Sequence, residues 1–298
     1  MPRLTSRRKF KDQRMRFVRL TGGKKVPALG LGTWRMGESA RSRATEIGAV
    51  TKALQIGYRL IDTAEMYGNG GAEEVVGAAV HDQMQATSIT REELTIVSKV
   101  LPSNATHAGV LRACERSLKR LKLDAIDIYL LHWRGSVPLK ETVAAFEQLR
   151  AEGRIHHWGV SNFDTADMQQ LWKLPSGSHC VTNQIYYSAS ERGAEFDLLP
   201  SQRDHRVATI AYSPIDQGAL ARDTTFAAIG KRRGVSASTA ALAWVLRNPD
   251  VIAIPMSASE PHLRENFAAA DIELTSEELA QIDGAFPPPK RKRPLATT

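Results

Sequence analysis

An α/β fold of the (β/α)8 TIM-barrel class, with an N-terminal β-hairpin and extra C-terminal helices, is what this chain of 298 residues predicts. Three observations carry that expectation. Eight short, nearly all-apolar segments alternate with stretches whose apolar residues recur at helical spacing. Continuously apolar strands separated by helices belong to parallel sheets covered on their outer face. The length suits a single α/β barrel, which typically takes about 250 residues and more with insertions.

Taken in order, residues 1–14 hold almost no apolar side chains and are expected to be a disordered basic extension, with Met15 a candidate natural start. Two extended runs, 16–20 and 24–29, flank Thr21-Gly22-Gly23 and read as a hairpin. The eight strands are expected at 29–33, 59–62, 95–100, 126–132, 156–161, 181–184, 207–213 and 251–255. Between them, Ile47, Val50, Leu54 and Gly57 share one helical face, as do Val110, Leu111, Cys114, Leu118 and Leu121. A less clean face holds Val143, Phe146, Leu149 and Arg150. Further helices are expected at 236–247, before the eighth strand, and at 276–285, after it. Residues 15–289 then make one domain, followed by a basic tail over 290–298. An open dinucleotide-binding sheet would need GxGxxG after its first strand. Here Gly30-Leu31-Gly32 runs into Thr33-Trp34-Arg35, and the next glycine is Gly37, so that alternative fails.

A hydrophobic content of 42% with 24% charged residues fits an ordinary soluble globular protein. No apolar run approaches the roughly 20 residues of a membrane span, and the start lacks the apolar core of a secretory signal. Cys114 and Cys180 lie far apart and are expected to be reduced thiols of a cytoplasmic protein, most simply a monomer. The net charge of +8 is concentrated at the ends. Residues 1–19 hold eight Lys and Arg against Asp12, and four more cations begin at Lys290, so the body between is slightly acidic. Such basic ends read as solvated tails, not as a nucleic-acid groove. There is no HExxH, His156 and His157 are adjacent, and the cysteines lack ligand spacing, so no metal site is expected.

Active sites of barrels lie at the carboxyl ends of the strands. Four such ends carry reactive groups: Asp62 on the second strand with Tyr67 in the following loop, Lys99 on the third, and His132 on the fourth. Each alone has an ordinary packing explanation. Together, an acid, a phenol, an amine and an imidazole on adjacent strands form a proton-delivery group. An ammonium lowers the phenol pKa from about 10, a carboxylate holds the ammonium, and an imidazole can orient a carbonyl oxygen. Reduction of a carbonyl by hydride is the matching reaction.

The run IDTAEMYGNGGAEEVVG, the strand-end SKV, the LLHW of 130–133 and the GVSNF of 159–163 resemble the aldo-keto reductase superfamily. NQ at 183–184, AYSP at 211–214, IP at 254–255 and EN at 265–266 agree in order, so the likeness covers residues 16–287. The resemblance implies Asp62, Tyr67, Lys99 and His132 as the catalytic set, with Tyr67 the proton donor and NADPH (or NADH) the reductant. For the coenzyme it implies Ser161, Asn162 and Gln184 at the carboxamide and Tyr212 stacked on the nicotinamide ring. The loop Ser213, Pro214, Ile215, Gln217, Gly218 and Leu220 would line the pyrophosphate. Glu265 and Asn266 would face the adenine, and Thr33, Trp34, Ile254, Pro255 and Ser257 complete the set. At the adenosine phosphate the family places a Lys and an Arg, where this chain has Met256 and His262; Ser257 remains and Arg264 lies two residues beyond His262, and the departure leaves the choice between NADPH and NADH open. Trp34, Tyr67, His132 and Trp133 would border a small-molecule carbonyl substrate. The short tail after Phe286 is similar to that of bacterial methylglyoxal and 2,5-diketogluconate reductases, implying small aldehydes and dicarbonyls. The alternative is a coenzyme-binding regulatory or redox-sensing subunit, against which the intact set of four argues.

Overall fold

A computed structural model describes residues 16–297; the extension 1–14 and Met15 lie outside them. Phe17–Arg19 (β1) and Lys25–Pro27 (β2) pair antiparallel, with Val18 opposite Val26, and both of these residues are buried. The side chains of Arg16 and Thr21 donate to the carbonyls of Asn248 and Arg206, which precede the last two strands of the main sheet. The expected hairpin is therefore present, and it lies against the amino ends of those strands.

Eight parallel strands follow: Leu31–Gly32 (β3), Leu60–Asp62 (β4), Thr95–Val100 (β5), Ile126–Leu131 (β6), Ile155–Ser161 (β7), Cys180–Tyr186 (β8), Ala208–Tyr212 (β9) and Val251–Ala253 (β10). They pair strictly in chain order, and parallel bridges Leu29↔Ala253 and Gly32↔Met256 join the two edges. The sheet thus curls back on itself, consistent with a (β/α)8 barrel. β5 and β6 are buried at every position, as expected for strands covered on both faces. The first strand is shorter than expected because Gly32 lies at the junction. A Cβ there would sit 2.7 Å from the Ile254 carbonyl oxygen, so only glycine lets the two edges approach.

The helices are Arg43–Ile56 (α1), Gly71–Ala86 (α2), His107–Leu121 (α3), Leu139–Ala151 (α4), Thr165–Trp172 (α5), Leu198–Asp204 (α6), Thr224–Arg233 (α7), Ala237–Leu246 (α8), Glu260–Ala268 (α9) and Ser276–Ala285 (α10). α3 shows how sequence sets such an element. The Thr106 side chain caps it by accepting from Gly109 N, Lys119 and Arg120 in the last turn favour its carboxyl end, and Lys122 terminates it in the left-handed region. Its buried stripe includes Val110, Cys114, Leu118 and Leu121, as the spacing predicted, while Leu111, expected on the same face, is only partly buried. In α4 the expected face holds for Val143, Phe146 and Leu149, but Arg150 turns outward to pair with Glu147. Both extra helices are present, α8 capped by Ser236 and α10 by a reciprocal Thr275–Glu278 box. The tail is not simply solvated. Leu295 packs against the core, and Lys292 pairs with Asp197 at 3.2 Å.

Candidate active site

Strand register brings the four reactive groups together. Asp62 ends β4, Lys99 lies on neighbouring β5, and His132 directly follows β6. Tyr67 opens a tight turn of one 3-10 helix before α2. The Lys99 ammonium is wholly buried and all three of its hydrogens are placed: Nζ donates to Asp62 Oδ1 at 2.6 Å, to the Thr63 carbonyl at 2.8 Å and to the Tyr67 hydroxyl at 3.2 Å. Asp62 Oδ2 accepts from Gln184 Nε2 at 2.7 Å, which fixes the carboxylate from the far side. Since the Tyr67 oxygen accepts from Lys99, its own proton is left to point into the cavity.

Burial opposes charge at every one of these groups, and partners decide the balance. For Lys99, burial acts downward but Asp62 and Tyr67 outweigh it, so the ammonium is held above its ordinary range. Burial pushes the Asp62 carboxyl up, partly offset by Lys99 and Gln184. Tyr67 departs from the expectation of a depressed phenol: burial raises it by more than Lys99 lowers it, and Asp62 adds to the rise. The phenol therefore keeps its proton near neutrality, as a donor must. His132 is driven down to about 2 by burial and then by Lys99, so its imidazole is neutral. Its Nδ1 is buried without a partner, which leaves Nε2 as the nitrogen able to meet a ligand.

The neutrality of His132 has a measurable sign. Its folded pKa is depressed below the unfolded value of about 6.5, so its contribution to stability is full above that pH and is lost as pH falls. Wild type should lose about 1.4 kcal/mol per pH unit below 6.5 from this group, and His132→Asn should remove that part of the slope. Denaturant melts of both proteins between pH 4.5 and 7.5 check this; parallel slopes would show that the ring is protonated in the fold.

Asp62, Tyr67 and His132 open onto a cavity of about 690 Å³, within the size range of small-molecule sites, while Lys99 stays sealed behind them. Its wall includes Trp34, Tyr67, His132 and Trp133, together with Met256, Ser257, His262, Glu265 and Asn266. It also includes Ser161, Asn162, Gln184, Tyr212, the loop residues Ser213, Pro214, Ile215, Gln217 and Gly218, and Ile254 with Pro255. Asn162, Ser213 and Gln217 have left-handed backbones, a cost of the kind that collects at binding loops. Tyr212 is steadied by its hydroxyl donating to Asn162 Oδ1 at 2.9 Å and by stacking on Tyr186. Two expected contacts are not on the wall. Thr33 is fully buried and spends its hydroxyl on the Asp62 carbonyl, and Leu220 packs into the core. The sequence reading had missed Gly32, Arg35, Met66, Ala221, Ser236 and Ser238 on the wall. Of these, Ser236 carried a signal, being a capping residue before the apolar run of α8.

Residues 28–286 match the aldo/keto reductase family. The chain belongs to that family. This aldo-keto reductase is 45% identical to the methylglyoxal reductase YeaE of Escherichia coli K12 over 285 residues, 94% of this chain and 98% of the relative. It is 34% identical to a glyoxal reductase of Bacillus subtilis 168, covering 89% of this chain and 91% of that protein. Among solved structures, an aldo-keto reductase of Klebsiella pneumoniae in complex with NADPH superposes with a TM-score of 0.90 at 47% identity, over 95% of this chain and 99% of that one.

Proposed function

We propose that this aldo-keto reductase reduces small aldehydes, ketones and dicarbonyls such as methylglyoxal to alcohols, at the expense of NADPH. The observation that carries the reading is the buried Asp62–Lys99–Tyr67 chain ending in a phenol proton aimed into the cavity. Tyr67 gives that proton to the carbonyl oxygen as it becomes an alkoxide. Lys99 compensates the phenolate left behind, and Asp62 keeps the ammonium in place. His132, neutral, offers Nε2–H to the same oxygen and orients the carbonyl. NADPH, when bound, supplies the hydride. The residues present fit it: a wall of polar strand ends, a flat Tyr212 ring and a loop of left-handed residues able to turn backbone N–H groups toward phosphates. The eight-stranded sheet with bridged edges is read as a closed (β/α)8 barrel forming one domain over 15–289. The protein is read as a bacterial, cytoplasmic monomer.

Among the described residues, none after Asn266 lines the cavity, so the tail builds no wall over the substrate end. Met66 and Trp133 stand 42% and 38% exposed at the rim. An open mouth offers few remote apolar contacts, which favours small or flat carbonyls. Steady-state kinetics with methylglyoxal, benzaldehyde, glucose and a ketosteroid test the reading. The dicarbonyl should give the highest kcat/KM; a far higher value for the steroid would reject the substrate class, and no oxidation of NADPH with any carbonyl would reject the activity.

Among the described residues the wall holds one arginine and no lysine, Arg35, whose guanidinium lies over Trp34, while Met256 and His262 stand with Ser257 where a phosphate grip would be needed. NADPH is therefore accepted with a narrower margin over NADH than a fixed cation would give. Met256→Lys should tighten NADPH by about 1 kcal/mol through a charge-assisted contact and leave NADH unchanged. Fluorescence titration with both coenzymes checks this, and equal tightening of NADH would refute it.

A further inference from the structure

Behind the cavity, on the side of β5 away from Lys99, two buried carboxylates flank the segment that carries Tyr67. Glu65 precedes the phenol by two residues and Glu73 follows it by six. Glu65 Oε1 accepts from Leu101 N and from Asn104 Nδ2, both at 2.8 Å, and its own backbone N donates to the Lys99 carbonyl. Glu73, with no exposed surface, accepts from Ser98 Oγ at 2.5 Å. The two acids therefore grip the β5 chain on either side of Lys99, one residue before it and two after.

Each carboxylate also meets a cation on α3. Arg120 reaches Glu73 Oε2 at 2.6 Å, and Arg116 reaches Glu65 Oε2 at 3.4 Å. Four residues apart, these arginines share one face of the helix. Gly70, which closes the turn begun by Tyr67, has φ of +92° and passes directly beneath Arg120; a Cβ there would lie 2.6 Å from Cδ and Nε of that side chain. The turn holding the phenol is thus pressed between Arg120 and β5, with a carboxylate bolt on each side. Packing alone would not require two buried charges here, since an apolar pair of like volume is commonly as stable. What the charged pairs fix is geometry.

We propose that Glu65 and Glu73, backed by Arg116 and Arg120, are positioning residues that hold the Tyr67 hydroxyl at hydrogen-bond distance from Lys99. The inference rests on the reductase reading for its kinetic consequence, though not for its geometry. Without the bolts the turn shifts as a unit, the 3.2 Å contact lengthens, and the ammonium lowers the phenol pKa less. Neither acid lines the cavity, and of the wall residues only Met66 and Tyr67 ride on this turn, so the contacts offered to the coenzyme by the rest of the wall stay as they are.

Glu65→Gln, Glu73→Gln and the milder Ser98→Ala test this. In the two Gln variants kcat for methylglyoxal should fall about tenfold, less than the roughly 10²-fold or more that losing the general acid outright costs, while KM and the NADPH dissociation constant stay within about twofold. Ser98→Ala, which removes only one hydrogen bond to Glu73, should give a smaller loss of the same kind. The limb of the kcat/KM profile on which activity is lost as the phenol ionises should move to higher pH in all three. The ionisation of Tyr67 can also be read without turnover, as the tyrosinate absorbance difference between each protein and its Tyr67→Phe counterpart; it too should move upward. Unchanged kcat and unchanged Tyr67 ionisation would overturn the proposal, as would losses of kcat and coenzyme affinity that merely track the thermal midpoint. A wild type without turnover strikes the reductase reading alone, and the absorbance titration then still decides the positioning role.

Discussion

Tyr67→Phe is expected to lower kcat for aldehyde reduction by at least about 10²-fold, the low end for loss of a general acid, with NADPH affinity nearly unchanged. The ring stays, so its edge contact with His132 and its place over the Lys99 ammonium survive. Only the proton donor goes. Lys99 keeps its two bonds to Asp62 Oδ1 and the Thr63 carbonyl, so the buried pair remains satisfied and the fold should be little disturbed. Single-turnover measurements at saturating coenzyme isolate the step. Near-normal reduction by this variant would remove Tyr67 from the mechanism proposed above.

Lys99→Met is the second large effect, and it acts on stability as well as on rate. The pair is sealed, with side-chain exposures of 0% for Lys99 and 2% for Asp62. Deleting one partner of a buried pair strands the other charge and costs about 3–5 kcal/mol. Burial already raises the Asp62 carboxyl, and without the ammonium little is left to pull it back. A carboxyl whose folded pKa is raised contributes stability below its unfolded value of about 3.9 and loses it as pH climbs through the folded value. The deficit against wild type should therefore be largest near neutrality and shrink toward pH 4. Urea melts across that range measure it. A variant as stable as wild type at pH 7 would mean that Asp62 is not charged in the native protein. Turnover should fall at least as far as in Tyr67→Phe, because the phenolate formed on proton transfer would face an uncompensated acid.

Much of this was legible in the chain because the physics was local. β5 and β6 are continuous apolar runs in the sequence and are buried throughout in the fold. Asp62, Lys99 and His132 declared themselves as polar residues closing such runs, and parallel register then obliges them to meet. What stayed hidden depended on distant segments. Arg35 lies on a left-handed loop residue with its guanidinium stacked on Trp34, a conformation that no nearby residue forecasts. Ser238 reaches the wall only because α8 happens to start there. The upward shift of Tyr67 was misread for the same reason: the sequence displays the ammonium that lowers it, not the depth of burial that wins. Arg150 was placed on a buried face by spacing alone, where its length and charge favoured Glu147 at the surface.

The junction of β3 with β10 has a dynamic consequence. It is held by a few backbone bonds, from Gly30 N to the Ala253 carbonyl, Ala253 N to the Ala28 carbonyl and Gly32 N to the Pro255 carbonyl. By contrast β5 and β6 stay in register over four residue pairs in unbroken strands. Opening is cheapest where ladders are short, and β3 pairs over two positions on either side, so deuterium should enter the sheet first around this strand and its junction with β10. Its two lips continue directly into cavity wall, Trp34 from one and Met256 and Ser257 from the other. A molecule lying across them would tie the two edges together, and under the proposed coenzyme reading it is expected to protect the amides of Gly30, Gly32 and Ala253 while those of β5 and β6 exchange as before.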